Sequence, residues 1–92
     1  MTPSIAAGSA FQAAIFRIAP GGCLRRHPAA VPQIIAVLEG SGEVSGATNT
    51  FDSVTKGDAV FFAQGEDHET RTSDGMTALI IEGPGLAPFR AG

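Results

Sequence analysis

The chain has 92 residues, six of them basic and nine acidic, a net charge of −3 and a single cysteine. That length is the size of one domain, residues 1–92, and excludes two-domain enzymes, α/β barrels and repeat arrays. Leu, Ile, Val and Phe supply 22 of the 92 residues, enough for a small core. So short a chain buries only about 60–65% of its unfolded surface, which favours pairing with a second copy.

Charge and hydropathy narrow the partners. No basic run is longer than Arg25-Arg26, so the stripe that holds nucleic acid or an anionic membrane is absent. The longest apolar runs, such as Ile34 to Leu38, fall far short of the ~18–20 residues of a membrane span. The first basic residue is Arg17, which leaves the N-terminus without the basic start of a signal peptide. Cys23 has no second cysteine to pair with. We therefore expect a cytoplasmic protein.

In chain order, 18 Gly and Pro residues fall between short apolar runs, which is the punctuation of a β-sheet. Ile5 to Phe16, with five alanines, is the one stretch whose composition permits a helix. Ala10 to Ala19 otherwise reads as a strand, carrying Phe11, Ile15, Phe16 and Ile18 to the break at Pro20-Gly21-Gly22. Cys23 to His27 is short and extended. Gln33 to Glu39 is rich in β-branched residues and runs into Gly40-Ser41-Gly42, a tight-turn sequence. Glu43 to Ser45 and Thr50 to Val54 flank Gly46-Ala47-Thr48-Asn49. Thr55-Lys56-Gly57-Asp58 turns the chain into Ala59 to Phe62. His68 to Thr72 follows Gly65, and Met76 to Glu82 follows Asp74-Gly75. Eight or so short strands at about 8–12-residue spacing predict an all-β sandwich or barrel.

On the third of these strands, period two puts Gln33, Ile35 and Val37 on one face and Ile34, Ala36 and Leu38 on the other. Both faces are apolar apart from Gln33, as in a strand covered on both sides. A buried amide needs hydrogen-bond partners or a ligand, because leaving it unpaired costs roughly 1–3 kcal/mol.

Spacing carries more information than any single residue. From Gly21 the chain reads glycine, five residues, His27-Pro28-Ala29, three residues, Gln33, six residues, Gly40. From Gly57 it reads glycine, five residues, Ala63-Gln64-Gly65, two residues, His68, three residues, Thr72. This resembles the two motifs of the cupin family, the first over residues 21–40 and the second over 57–72. In that family the first motif carries His-x-His followed by Glu or Gln, and the second carries Pro-x-Gly, His and Asn. Gly21, Gly40, Gly57, Gly65, His27, His68 and Gln33 fall in register, whereas Ala29, Ala63 and Thr72 replace the second histidine, the proline and the Asn.

The resemblance implies an all-β, jelly-roll barrel of cupin type with a divalent metal in its mouth, Fe, Mn, Ni, Cu or Zn, held here by His27, Gln33 and His68. Two imidazoles and an amide oxygen can hold such an ion with water completing the sphere, though the neutral amide is a weak donor. It implies a small organic ligand or substrate beside the metal, and a metal-dependent oxygenase or isomerase if the protein is an enzyme. The alternative is a sensor or binding module with a degenerate, metal-free pocket, in which both histidines are neutral interior residues.

Further expectations come from the residues themselves. Arg25 lies two before His27 and shares its face on an ideal strand, where a guanidinium would hold a substrate carboxylate or phosphate; its alternative is a rim pairing with Glu66 or Asp67. Arg25 and Phe61 are the substrate-binding candidates. Cys23 reads as a small buried hydrophobe. Glu66, Asp67 and Glu69 read as a solvated loop. Ala29 should share the face of His27 at a mouth open to solvent. A homodimer is expected through the doubly apolar Ile34-to-Leu38 strand. Neither a nucleophile elbow nor a phosphate-binding loop is present to compete.

Overall fold

The computed structural model describes residues 11–86. These form seven strands: β1 (Gln12–Ile18), β2 (Cys23–Pro28), β3 (Gln33–Ser45), β4 (Phe51–Thr55), β5 (Ala59–Phe62), β6 (Asp67–Arg71) and β7 (Met76–Glu82). Every pairing between them is antiparallel. Among the described residues there is no helix, and Gln12 to Phe16, where composition permitted one, lie in β1. Ile5 to Ala10 lie outside the described residues.

β3 organises the molecule. Its first half pairs with β7 and β5, and β7 pairs in turn with β1, giving a sheet A of order β1-β7-β3-β5. Its second half pairs with β4 and β6, and β6 with β2, giving a sheet B of order β4-β3-β6-β2. One strand thus passes from one sheet to the other, and the curled sheet is that of a jelly-roll barrel.

Gly40-Ser41-Gly42 is not the expected turn. β3 runs unbroken for 13 residues through it, which is why seven strands stand where eight were expected. The glycines serve close approach instead. Gly40 takes a φ of +79°, and a Cβ there would collide with the Gly75 carbonyl oxygen; a Cβ on Gly42 would sit 2.5 Å from the Arg71 carbonyl oxygen and 2.6 Å from Met76 Sδ. The register also shifts between Val37 and Glu39, so β3 bends at the point where it changes sheets. The turn expected at Thr55-Lys56-Gly57-Asp58 is present: Gly57 has a φ of +95°, and Asp58 Oδ2 accepts the Thr55 N–H at 2.8 Å.

The core lies between the two sheets and gathers Ile18, Ile35, Val37, Val44, Val54, Phe62, Met76, Ala78 and Ile80, with Leu24 and Val60 against it. The alternation read for β3 holds on the inner face, where Gln33, Ile35 and Val37 are all buried. The two outer faces differ sharply. On sheet A the outward residues include Ile15, Leu79, Ile81, Ile34, Ala36 and Phe61, in matched cross-strand register and half-buried or exposed. On sheet B they include Glu43, Arg71 and Cys23; Arg71 pairs with Glu43 at 2.8 Å and lies over the Phe51 ring.

Candidate functional site

One end of the barrel carries a ring of functional side chains that the strand register assembles. In sheet A, Gln12 on β1 is opposite Glu82 on β7, Glu82 is opposite Gln33 on β3, and Gln33 is opposite Phe62 on β5. In sheet B, His27 on β2 is opposite His68 on β6. Residues directly opposite on neighbouring strands point to the same face, so each row faces the interior as a unit. Phe62 joins the rows, its ring stacked on the His68 imidazole at a centroid distance of 4.7 Å. The His68 ring in turn lies 4.4 Å from that of His27, tilted by 55°.

These residues enclose a cavity of about 300 Å³, with Gln12, His27, Gln33, His68 and Glu82 on its polar side and Phe16, Leu24 and Ile80 on its apolar side. That is the lower end of the size range for small-ligand sites. A larger groove of about 740 Å³ crosses the outer face of sheet B. It is shallow, and its charged residues Glu43 and Arg71 already pair with each other.

The polar atoms of the cavity show what it can bind. His27 Nδ1 donates to the Arg25 carbonyl oxygen at 2.7 Å, which fixes the tautomer and leaves a lone pair on Nε2. Gln33 Nε2 donates to Glu82 Oε2 at 3.0 Å, while Gln33 Oε1 is buried without a partner. His68, 4% exposed, has its Nε2 buried without a partner. Burial, and secondarily the neighbouring His27, holds the His68 pKa below the ordinary histidine value, which keeps the ring neutral. Buried polar atoms are nearly always paired. Two orphans on one small cavity, beside a third free ring nitrogen, mark a place where a bound group completes the bonding.

His27, Gln33 and His68, expected to converge, do line this one cavity. They come from two sheets: His27 on β2 is paired to His68 on β6, while Gln33 belongs to the first half of β3. Arg25 and Phe61 do not line it. The register shifts between Leu24 and His27, so the extra residue of this bulge reverses the alternation and brings Leu24 and His27, not Arg25 and His27, to the cavity. Cys23, expected to be buried, is exposed for the same reason. Phe61 lies outward opposite Ile34, while its neighbour Phe62 faces in.

The rim pairing of Arg25 with Glu66 or Asp67 is not seen among the described residues, and it is Arg26 that reaches the neighbouring loop. It donates to Ser45 Oγ at 2.7 Å, to the Gly46 carbonyl and to the Thr48 carbonyl at 3.1 Å, and lies 3.8 Å from Glu69. Glu66 is a turn cap: its carboxylate accepts the N–H groups of Ala63 at 2.9 Å and Ala47 at 3.3 Å. Ala29 lies beyond the end of β2, not at an open mouth. It is 3% exposed, donates its N–H to the Glu66 carbonyl and accepts from the Gly65 N–H. Glu82 and Gln12 went unremarked in the sequence. Period two along β7 was the available signal, since it puts Glu82 on the inward face of Ala78 and Ile80.

Neither the known family profiles nor the curated proteins include a match to this sequence. Solved structures do. An RmlC-like cupin from Shewanella frigidimarina superposes with a TM-score of 0.76 at 22% identity, over 80% of this chain and 66% of its own. The chain has the cupin fold. A predicted oxalate decarboxylase from Thermotoga maritima matches at a TM-score of 0.69 and 21% identity, over 75% of this chain and 62% of its own. A DMSP lyase from Ruegeria pomeroyi matches at 0.75 and 25%, over 86% of this chain and 41% of its own. This cupin-fold chain therefore spans about two thirds of the length of the first two and less of the third.

Within the cupin fold here, no group of three His, Cys, Asp or Glu side chains is placed to hold a metal among the described residues. The cavity also offers an amide. Gln33 Oε1 is the orphaned amide oxygen on the cavity, and the set of two imidazole nitrogens and one carbonyl-type oxygen fits a first-row divalent ion. The Nδ1–H contact of His27 to a backbone carbonyl is also the support that metal-bound histidines generally have.

Proposed function

We propose that this chain is a small-molecule-binding cupin whose cavity takes a divalent transition metal on His27, His68 and Gln33. The observation that carries the reading is the pair of buried, unpartnered polar atoms, His68 Nε2 and Gln33 Oε1, on the cavity that His27 also lines. When bound, the metal supplies a Lewis acid that polarises an oxygen of the ligand, the chemistry an oxygenase or isomerase would use. The chain's own residues orient and exclude. Phe16, Leu24 and Ile80 cover the apolar part of a ligand, and Phe62 braces His68 from behind. The fold serves enzymes and binders alike and does not choose between them.

A second reading, a metal-free binding module, draws on the lack of a carboxylate or thiolate among the three donors and on the burial of Ala29 where the resembling motif has its second histidine. Calorimetry separates the two. With untagged protein, nickel or zinc should bind saturably to the wild type, weakly to Gln33→Ala and not to His27→Ala/His68→Ala. Equal binding in wild type and double variant leaves only the metal-free module.

Association with a second copy is part of the proposal. What supports it is the apolar row on the outer face of sheet A, with Ile15 63% exposed at its edge and the charges of that face, Arg17 and Glu39, confined to one end of it. An apolar row of this kind can pack on its own copy about a two-fold axis. The lone thiol Cys23 suits a reducing, intracellular setting.

A further inference from the structure

The contact between Gln33 and Glu82 is satisfied by only one orientation of the amide. An ionised carboxylate only accepts hydrogen bonds, so the group 3.0 Å from Glu82 Oε2 is the NH2 end of Gln33. The carbonyl end is then the buried atom left without a partner. The two ends of an amide are nearly the same size, and without a directing neighbour either can face a cavity. Here the neighbours direct it. Glu82 stands directly opposite Gln33 on β7, while Phe62, opposite it on β5, offers no polar atom. Gln33 is 7% exposed, so water does not compete for it.

We propose that Glu82 is the positioning residue of the site: by holding the Gln33 NH2 group it commits Gln33 Oε1 to the cavity as an acceptor and makes the site selective for cations. Neither Lys nor Arg lines the cavity among the described residues, and Glu82 contributes its one formal charge. The bulge that removes Arg25 from the lining thus leaves a cavity without a basic side chain, the opposite of the anion site that Arg25 would have made. This inference rests on the metal reading above and gives Glu82 a part in it that is not ligation.

The test exchanges the two side chains. In Glu82→Gln the partner can donate or accept, Gln33 is no longer directed, and nickel affinity measured by calorimetry should fall about tenfold, or 1.4 kcal/mol. In Gln33→Glu/Glu82→Gln the hydrogen bond is rebuilt with donor and acceptor reversed, a carboxylate oxygen takes the place of the amide oxygen, and nickel affinity should return to the wild-type value or above. Glu82→Gln binding nickel as wild type does, or the exchange variant binding no better than Glu82→Gln, overturns the proposal. A second readout needs no metal: proton exchange of the Gln33 side-chain amide with water, by NMR, should be faster in Glu82→Ala than in the wild type. Equal rates overturn the proposal. If wild type binds no nickel, the metal reading fails by itself, and the exchange comparison alone then decides whether Glu82 holds Gln33.

Discussion

Ala29 occupies the position at which the resembling motif carries its second histidine, and its surroundings decide whether an imidazole would fit there. Both its backbone groups are engaged, with Glu66 and Gly65, and the residue is 3% exposed. Ala29→His should therefore destabilise by about 1–3 kcal/mol through overpacking, without tightening nickel binding. Urea unfolding together with calorimetry checks both parts. His68 gives a pH dependence whose sign follows from its lowered pKa. Above pH 6.5 the ring is neutral folded and unfolded and contributes nothing. As pH falls below the unfolded value, the unfolded chain takes up a proton that the buried ring resists, so stability falls until the folded pKa is passed. Metal-free wild type should lose melting temperature between about pH 7 and 5, and His68→Gln should lose less. Equal losses in the two proteins would remove His68 as the cause.

At the scale of the elements, the period-two pattern made the strands and the buried face of β3 legible. Glycine was ambiguous: the same residue type marks a turn at Gly57 and a strand crossing at Gly40, and only the backbone of Gly75 and Met76 packed against Gly40 tells them apart. The bulge in β2 was invisible for a related reason, since an extra residue between Leu24 and His27 leaves no compositional mark yet reverses the face of everything before it. That is why His27, Gln33 and His68 were found from their spacing while Arg25 and Cys23 were assigned to the wrong side. Gly40→Ala tests the crossing. With φ at +79° and the Gly75 carbonyl in the way, it should cost about 2–3 kcal/mol, whereas Gly85→Ala, where a Cβ meets no neighbour within 4 Å and φ is not positive, should cost little. Similar losses in both would mean that β3 tolerates a side chain at its bend.

For the whole molecule, two faces of one small barrel carry different consequences. The interior row Gln12-Glu82-Gln33-Phe62 and the pair His27-His68 belong to different sheets, and only the crossing of β3 between those sheets brings them to one cavity. Outside, the apolar face of sheet A predicts a dimer. Light scattering of wild type at tens of micromolar should give about twice the chain mass, as a stable interface requires, and Ile15→Glu/Leu79→Glu should give a folded species of one chain mass. A wild-type monomer under those conditions contradicts the pairing.

The cavity itself is tested most directly by anomalous diffraction from crystals grown with zinc and recorded at the zinc absorption edge. A bound ion within coordination distance of His27 Nε2, His68 Nε2 and Gln33 Oε1 is the expected result. Zinc confined to the outer faces, with the cavity bare of metal, would contradict it.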